Sequence, residues 1–417
     1  MVETGTDMRR RVVITGMGAV TPVGNSVAEL WRNVCGGVNG IAPITLYDPS
    51  DQEVRIAGEV KGLDVAGILG KQEARKQERF THLARIAARE AIATSGLDPA
   101  VEDPYRCGVA VSSGIGGFNG ITRNQDRGRE KGFDRVSPHF IPSSITNSVA
   151  GYLAIEHGFK GECTCVVSAC AGGTNALGEA LRAVRHGYAD VMLTGGTEAC
   201  INPLSVGGFT VMRALYEGND CQRASIPFDA ERSGFVMAEG AGMLVVEELQ
   251  HALDRHAPII AELAGYGYTC DAYHITAPRP DGEGAVASMR QAIADAGLEP
   301  AQIGYVNAHG TSTPLNDKTE SCALHEVFGA QTPLVSSTKS MTGHMLGAAG
   351  AVEAIISALV IRDGVVPPTI NYQVADPECD VNLVANQCKE AQVDAVLSDS
   401  LGFGGHNATV VLTRYQG

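Results

Sequence analysis

One thiol and two imidazoles stand out in this chain because each closes an apolar, strand-like run. Cys170 lies in "VVSACAGGTNALGEAL", His309 in "VNAHGTSTP" and His344 in "KSMTGHMLGAAG". Together they suit chemistry on a thioester: sulfur can hold an acyl group, and imidazoles can steady negative charge developing beside it. A cysteine at a strand-to-helix turn meets the positive end of the helix dipole, which favours thiolate. That dipole contributes ~0.3–1 kcal/mol, whereas one pKa unit is about 1.4 kcal/mol. Neighbouring donors must therefore complete the activation.

His309 follows "IGYVNA" and leads into "GTSTPLND". A strand ending in His-Gly-Thr aims the ring off a sheet end, where ligands of α/β proteins gather. Thr311 and Thr313 add hydroxyls at alternate positions, suited to an amide-bearing arm. Lys339 stands five residues before His344, and Glu353 fourteen after the lysine. In such small, apolar surroundings the two are expected to pair, since leaving either alone is costly. The pair is expected to orient His344 and set its electrostatics. "SLGFGGHNA" (400–408) is a glycine-rich turn between strands, with Gly402, Gly404 and Gly405. It can bring an N–H close to a reacting oxygen, and the Cys170 and Phe403 amides are the candidate oxyanion hole. Cys163 and Cys165 lack a second ligand pair at zinc spacing, so no metal is expected. No G-x-x-x-x-G-K-[ST] phosphate loop occurs.

The elements that must position these groups read as short strands alternating with small-residue helices. Strands are expected in "RVVITGMGAV", "GVAVSSGIGG", "CTCVVSAC" and "ADVMLTGG", then in "PIIAELAGYGY", "IGYVNAHG", "PLVSSTK", "AVLSDSLG" and "ATVVLTRY". Their continuous apolar character predicts burial on both faces. Helices are expected over 79–95, 284–297 and 347–361, the last buried throughout. In the helix after Cys170, the i, i+3, i+4 spacing of Ala176, Leu177, Ala180, Leu181 and Val184 predicts the packed face. Asn175, Glu179, Arg182 and Arg185 fall on the others. The stretches 166–187 and 335–364 share one plan: strand, Ser/Thr-rich turn with a reactive-type residue, Ala/Gly-rich helix, closing Gly. Length alone suggests about three domains; this repeat favours two α/β lobes, 9–255 and 256–417, with a switch near 250–258.

Composition fits a globular protein, 44% hydrophobic and 19% charged over 417 residues. No run reaches the roughly 18–20 apolar residues of a membrane span, and "MRRRVVITG" lacks a signal-peptide core. Cytoplasm is the expected location, with no membrane partner. Eleven scattered cysteines read as mostly reduced, buried thiols. A net charge of −15 argues against nucleic acid. An acidic partner would have to dock on a local basic patch.

Taken together, the motifs resemble the elongating β-ketoacyl-[acyl-carrier-protein] synthases of the synthase II type. The resemblance runs from about residue 11 to 413 and includes "VVITGMGAVTPVGN", "VSPHFIPSSITNSVAGYLA", "RALYEGND", "CDAYHITAP" and "IRDGVVPPTIN". It implies a thiolase-like α/β fold of two duplicated α-β-α-β-α-β-β lobes in five α/β/α/β/α layers, usually as a homodimer. By the resemblance, Cys170 is the nucleophile that takes the acyl chain from acyl-carrier protein, and His309 and His344 stabilise the malonyl enolate. Lys339 and Glu353 hold the electrostatics, and Phe403 is the gate. Thr276, Thr311 and Thr313 contact the phosphopantetheine arm, which the carrier delivers; no tightly bound cofactor is implied. Ile115 and Phe209 line the acyl tunnel, and Arg75, Lys76 and Arg213 receive the carrier. The chain departs from the family pattern with "ACAGG" for "ACTSG", Leu401 for phenylalanine, Asp399 for asparagine and "FDR" at 133–135 for "PRK". These bear on chain length, gating and one edge of the carrier patch.

Other readings fit less well. A Cys-His hydrolase needs one histidine and an orienting Asn or Asp, not two histidine motifs beside a Lys–Glu pair. An initiating synthase would carry Asn at His344, and a catabolic thiolase a second cysteine near the C-terminal glycine turn. A non-condensing chain-length subunit would lack Cys170. A ketosynthase of a type II polyketide or related specialised-lipid pathway is the remaining alternative.

Overall fold

Most of the continuous apolar runs become strands covered on both faces; Cys163–Val166 is the exception, exposed or half-buried at the sheet edge. In the computed structural model, which describes residues 10–417, the principal sheet contains β1 (Val12–Val20), β2 (Cys107–Ser112), β3 (Cys163–Val166), β4 (Val191–Glu198) and β5 (Gly240–Glu248). It continues with β6 (Ala261–Cys270), β7 (Tyr305–Asn307), β8 (Leu334–Ser336), β9 (Ala395–Gly402) and β10 (His406–Thr413). The order is β8-β7-β9-β10-β6-β1-β5-β4-β2-β3. The halves meet where β1 runs antiparallel to β6, Val13 opposite Glu262 and Ile14 opposite Ala261.

Adding five to each strand label of one half gives the other. β1–β5–β4 is antiparallel and β4–β2–β3 parallel; β6–β10–β9 and β9–β7–β8 repeat the pattern. The helices repeat too. α1 (Arg79–Ser95), α2 (Ser148–His157) and α3 (Gly172–Arg185) occupy the same connections as α4 (Glu283–Asp295), α5 (Pro314–Phe328) and α6 (Ala349–Asp363). Each series is β-α-β-α-β-α-β-β, the expected order with one strand before it.

Side-chain alternation along each strand distributes the core between layers. On β5, Met243 and Val245 pack with Phe80, Leu83 and Leu153 of α1 and α2. Leu244 and Val246 face the opposite way, into the central cluster with Leu177 of α3 and Ile355 of α6. On β9, Leu397 packs with Met289 and Leu324 of α4 and α5, while Val396 joins the central cluster. Thus α3 and α6 form the middle of five layers. No helix of the described residues is long and apolar enough to cross a membrane.

Two glycine pairs set the outer layers. On β1, a Cβ at Gly16 or Gly18 would lie 2.1 Å from the Ala91 carbonyl oxygen or 1.9 Å from that of Ala87. On β6, Gly265 and Gly267 stand against the Ala292 and Ser288 carbonyl oxygens at 2.2 and 1.9 Å in the same sense. Each helix backbone therefore rests directly on a strand.

The structure refines several sequence expectations. β5 was not among the expected strands, because its run opens on "GAG" and is only briefly β-branched. The helix expected over 347–361 begins at Ala349, since Leu346–Ala348 form a 3-10 turn. That over 284–297 ends at Asp295, and Gly297 takes a left-handed φ of 69° beyond it. Asn175 is buried rather than on an open face. Its Nδ2 donates to Ser168 Oγ at 2.6 Å, and Tyr266 Oη donates to its Oδ1 at 2.7 Å.

Substituting Gly18→Val should force α1 off β1 and cost at least the ~1–3 kcal/mol typical of overpacking. A urea unfolding midpoint equal to that of the unaltered protein would contradict this packing.

Candidate active site

Cys170 sits where β3 gives way to α3, in a 3-10 turn spanning Ala169–Ala171. Ala169 adopts a left-handed φ of 48°, a strained geometry for a residue with a Cβ. The buried Asn175–Ser168 hydrogen bond braces this turn from below. Cys170 is half-buried and packs on an apolar cluster that contains Cys200, Phe235, Met237 and Leu346, with Ile115 and Phe209 at its edge.

The backbone N–H groups of Phe403 and Cys170 favour the charged sulfur against its burial. Gly402 lets the glycine-rich turn rest on the Cys170 turn: a Cβ there would lie 3.0 Å from the Ser168 carbonyl oxygen and 3.2 Å from the Cys170 nitrogen. Burial pushes the Cys170 thiol up to about 12; Lys339 and the two N–H groups oppose it, while Glu198 adds to it. The expected promotion of thiolate by a helix end and nearby donors is therefore outweighed by desolvation, and the resting group is a thiol.

His309 leaves the end of β7 and is buried. Its backbone N–H donates to Glu320 Oε1 and that of Gly310 to Glu320 Oε2, each at 2.7 Å. The His344 N–H donates to the Val236 carbonyl oxygen at 2.8 Å, and the Ala238 N–H to the His344 carbonyl oxygen at 3.0 Å. The two imidazoles meet edge to face, with centroids 5.2 Å apart and planes at 84°. Phe235 meets His344 in the same manner at 5.3 Å. Phe209 lies 5.5 Å from Phe235 and 6.3 Å from Phe403, so a line of rings joins the glycine-rich turn to His309.

Below the histidines, the Lys339 ammonium donates to Glu353 Oε1, both side chains being almost wholly buried. Burial, then Lys339 and His344, hold His309 well below the usual imidazole range. Burial and Lys339 do the same to His344. Both rings are therefore neutral near pH 7. Neither nitrogen of His344 has a hydrogen-bond partner among the described residues. Its orientation comes from its backbone bonds and from Phe235, and the ion pair acts on it through charge.

Comparison with known proteins places this geometry. Residues 9–252 match the N-terminal domain of the beta-ketoacyl synthases and residues 260–373 their C-terminal domain. The chain belongs to the β-ketoacyl synthase family. It is 48% identical over 411 residues to 3-oxoacyl-[acyl-carrier-protein] synthase 2 of Synechocystis, covering 98% of this chain and 99% of that protein. It is also 48% identical, with the same coverage, to the enzyme of that name from Staphylococcus aureus strain COL. Among solved structures, the ishigamide ketosynthase/chain length factor superposes with a TM-score of 0.91 at 34% identity, over 98% of this chain and 100% of that one. A type II polyketide ketosynthase bound to the hexaketide and in complex with its acyl-carrier protein gives the same values. The thiolase-like fold expected from the sequence is shared with these structures.

The remaining residues implied by the resemblance lie on other segments. Thr311 and Thr313 join hydroxyl to hydroxyl at 2.9 Å in the loop after His309. Thr276 follows Ile275, whose carbonyl oxygen accepts from the Gly404 N–H at 2.7 Å, so its segment is tied to the turn of Phe403. Arg75 and Arg213 are exposed and make no ion pair among the described residues. Lys76 differs: it pairs with Glu73 at 2.7 Å, which offsets its charge. No group of three or more His, Cys, Asp or Glu side chains among the described residues is arranged to hold a metal.

Sequence reasoning assigned no role to three carboxylates that the fold brings to the site. Glu198 accepts from the N–H groups of Gly114 at 2.8 Å and Gly347 at 3.2 Å, tying the loop before Ile115 to the turn after His344. Asp317 accepts from the Phe228 N–H at 2.9 Å, and Glu320 holds the His309 loop. The signal for the latter two was their i, i+3 spacing in "NDKTE", which sets both on one helix face. Asn307 Oδ1, Ser398 Oγ, Glu353 Oε2 and both Asp399 oxygens are buried without a hydrogen-bond partner among the described residues.

Substituting Gly402→Val should push the Phe403 N–H away from the sulfur. Acyl-enzyme formation, followed by intact-protein mass spectrometry, should slow by about a hundred- to a thousandfold, as for loss of one oxyanion donor. An unchanged acylation rate would remove the Phe403 N–H from the chemistry.

Proposed function

We propose that the chain is an elongating 3-oxoacyl-[acyl-carrier-protein] synthase, which joins two carbons of a malonyl thioester to an acyl chain held on Cys170. The observation that carries this reading is a pair of buried, uncharged imidazoles in edge-to-face contact. Identity of 48% to the two named synthases, against 34% to the type II polyketide ketosynthase, supports fatty-acid rather than polyketide elongation.

In the first half-reaction the Cys170 sulfur attacks the acyl-carrier thioester. The carbonyl oxygen becomes an oxyanion held by the N–H groups of Cys170 and Phe403. Collapse expels the phosphopantetheine sulfur, which leaves with the proton that Cys170 gives up. Malonyl-carrier then brings its arm past Thr276, Thr311 and Thr313. His309 and His344 each donate an N–H to the malonyl thioester oxygen, and the electron pair left by departing carbon dioxide is held as an enolate. Neutral rings suit this step, because an imidazolium would hold the malonyl carboxylate as an ion pair and oppose its loss. The enolate carbon attacks the acyl carbonyl, the carbon–sulfur bond breaks, and the sulfur regains a proton from solvent.

The acyl chain lies along Ile115 and Phe209 in this reading, and Ala171 and Leu401 bear on its length. Exposed Arg75 and Arg213, with Lys76 contributing less, receive the acidic carrier against the overall charge. The two functional units are 9–255, with the nucleophile, and 256–417, with both histidines. The enzyme works in the cytoplasm as a homodimer. Supporting the dimer, β3 is the sheet's edge strand, and exposed Ile145, Ile155 and Val167 flank it in sequence.

Cys170→Ala should fold as the wild type yet form no acyl-enzyme with acyl-carrier thioester; wild-type acylation in mass spectra would refute the assignment. His344→Ala should lower malonyl decarboxylation about a hundred- to a thousandfold and acyl transfer far less. Release of labelled carbon dioxide is the measurement, and an unaltered rate would exclude His344 from the step.

A further inference from the structure

Three contacts close on Gly404, the residue that follows Phe403 in the glycine-rich turn. The Gly404 N–H donates to the Ile275 carbonyl oxygen at 2.7 Å, and the Cys270 thiol donates to the Gly404 carbonyl oxygen at 3.6 Å. The imidazole of His406 stands against its α-carbon. A Cβ on Gly404 would lie 3.0 Å from His406 Cδ2 and 3.1 Å from Nε2. Glycine tolerates many backbone conformations, so these neighbours must select the left-handed φ of 87° found here.

The His406 ring is itself held. Its Nδ1 shares a 2.9 Å hydrogen bond with Tyr268 Oη, and the two rings stack at 6.1 Å with planes 17° apart. Tyr268 stacks in turn on Tyr266, at 6.4 Å and 9°, and the Arg182 guanidinium covers Tyr266 at 4.7 Å. Strand geometry produces this series. Tyr266 and Tyr268 alternate onto one face of β6, and His406 begins β10 opposite Cys270, diagonal to Tyr268. At the buried end, Tyr266 Oη donates to Asn175, which donates to Ser168 in the turn of Cys170. One stack therefore joins the turn that carries the Phe403 amide to the turn that carries the Cys170 amide.

We propose that His406 is a positioning residue which, braced by Tyr268 and Tyr266, fixes the Phe403 amide relative to Cys170 for acyl transfer. Imidazole suits the place because it presents two edges. Nδ1 meets the phenol, and the Cδ2–Nε2 edge meets Gly404. Loss of the ring leaves Gly404 its two polar contacts but frees its α-carbon. The Phe403 amide then samples orientations away from the developing oxyanion, and part of its stabilisation of the transition state is lost. His309 and His344 are held by Glu320 and Val236 instead, so malonyl decarboxylation does not draw on the stack. The role given to the Phe403 amide rests on the condensing reading above; the brace on the turn does not.

The test compares full-length wild type with His406→Ala and Tyr268→Phe. The second change keeps the stack, removes one hydrogen bond at a partly exposed ring, and carries the test should His406→Ala fail to fold. Hydrogen–deuterium exchange of the peptide holding Phe403 and Gly404 should be about tenfold faster in His406→Ala. In Tyr268→Phe it should rise severalfold. Exchange at the wild-type rate in both overturns the brace. Single-turnover formation of acyl-Cys170, followed by intact-protein mass spectrometry, should slow about tenfold in His406→Ala. The acyl-carrier concentration at half-saturation should hold steady, and release of labelled carbon dioxide from malonyl-carrier should stay close to the wild-type value. Unchanged acylation, or equal losses of acylation and decarboxylation, overturns the positioning role. A wild type whose turn exchanges slowly but that forms no acyl-Cys170 would sink the condensing reading and leave the brace standing.

Discussion

The close approach of α3 and α6 is the constraint from which the rest follows. A Cβ at Gly173 would lie 2.9 Å from both the Ala351 nitrogen and the Gly347 carbonyl oxygen, and one at Gly350 would lie 2.0 Å from Thr174 Oγ1. Cys170 stands at the head of α3 and His344 just ahead of α6. The separation of those helices therefore sets how near the sulfur can come to the imidazoles. Larger residues at the crossing would push the two helices apart, and the groups they carry with them.

A second constraint is electrostatic. The site lies among buried groups, so charge there is costly unless balanced. Lys339 and Glu353 balance each other, and burial, with the ammonium adding to it, keeps both imidazoles uncharged. Burial likewise keeps Cys170 a thiol at rest. The same desolvation thus leaves three groups of the site uncharged.

The rigid layers and the glycine-rich turn divide the work. Histidine backbones are pinned by strand-end hydrogen bonds and by Glu320, whereas the Phe403 segment is a turn of left-handed glycines, Gly404 at φ 87° and Gly405 at φ 73°. It is held to the Thr276 segment by the Gly404 N–H and to Phe209 by ring contact.

By itself the sequence determined the class of fold and singled out the candidate reactive groups. Apolar runs without alternation had to be strands buried on both faces, and the repeated turn-and-helix plan around Cys170 and His344 pointed to duplication. It also supplied the Lys339–Glu353 pair, because an isolated buried charge is too costly to leave alone. Tertiary structure alone decided what depends on contacts between residues far apart in the chain. Asn175 looked like an open-face residue until Tyr266 and Ser168 closed on it, and β5 was hidden because its neighbours in the sheet, not its own residues, make it a strand. The neutral state of Cys170 likewise comes from desolvation and neighbouring charge. Such a state is a property of the surrounding volume, which no local run of residues specifies.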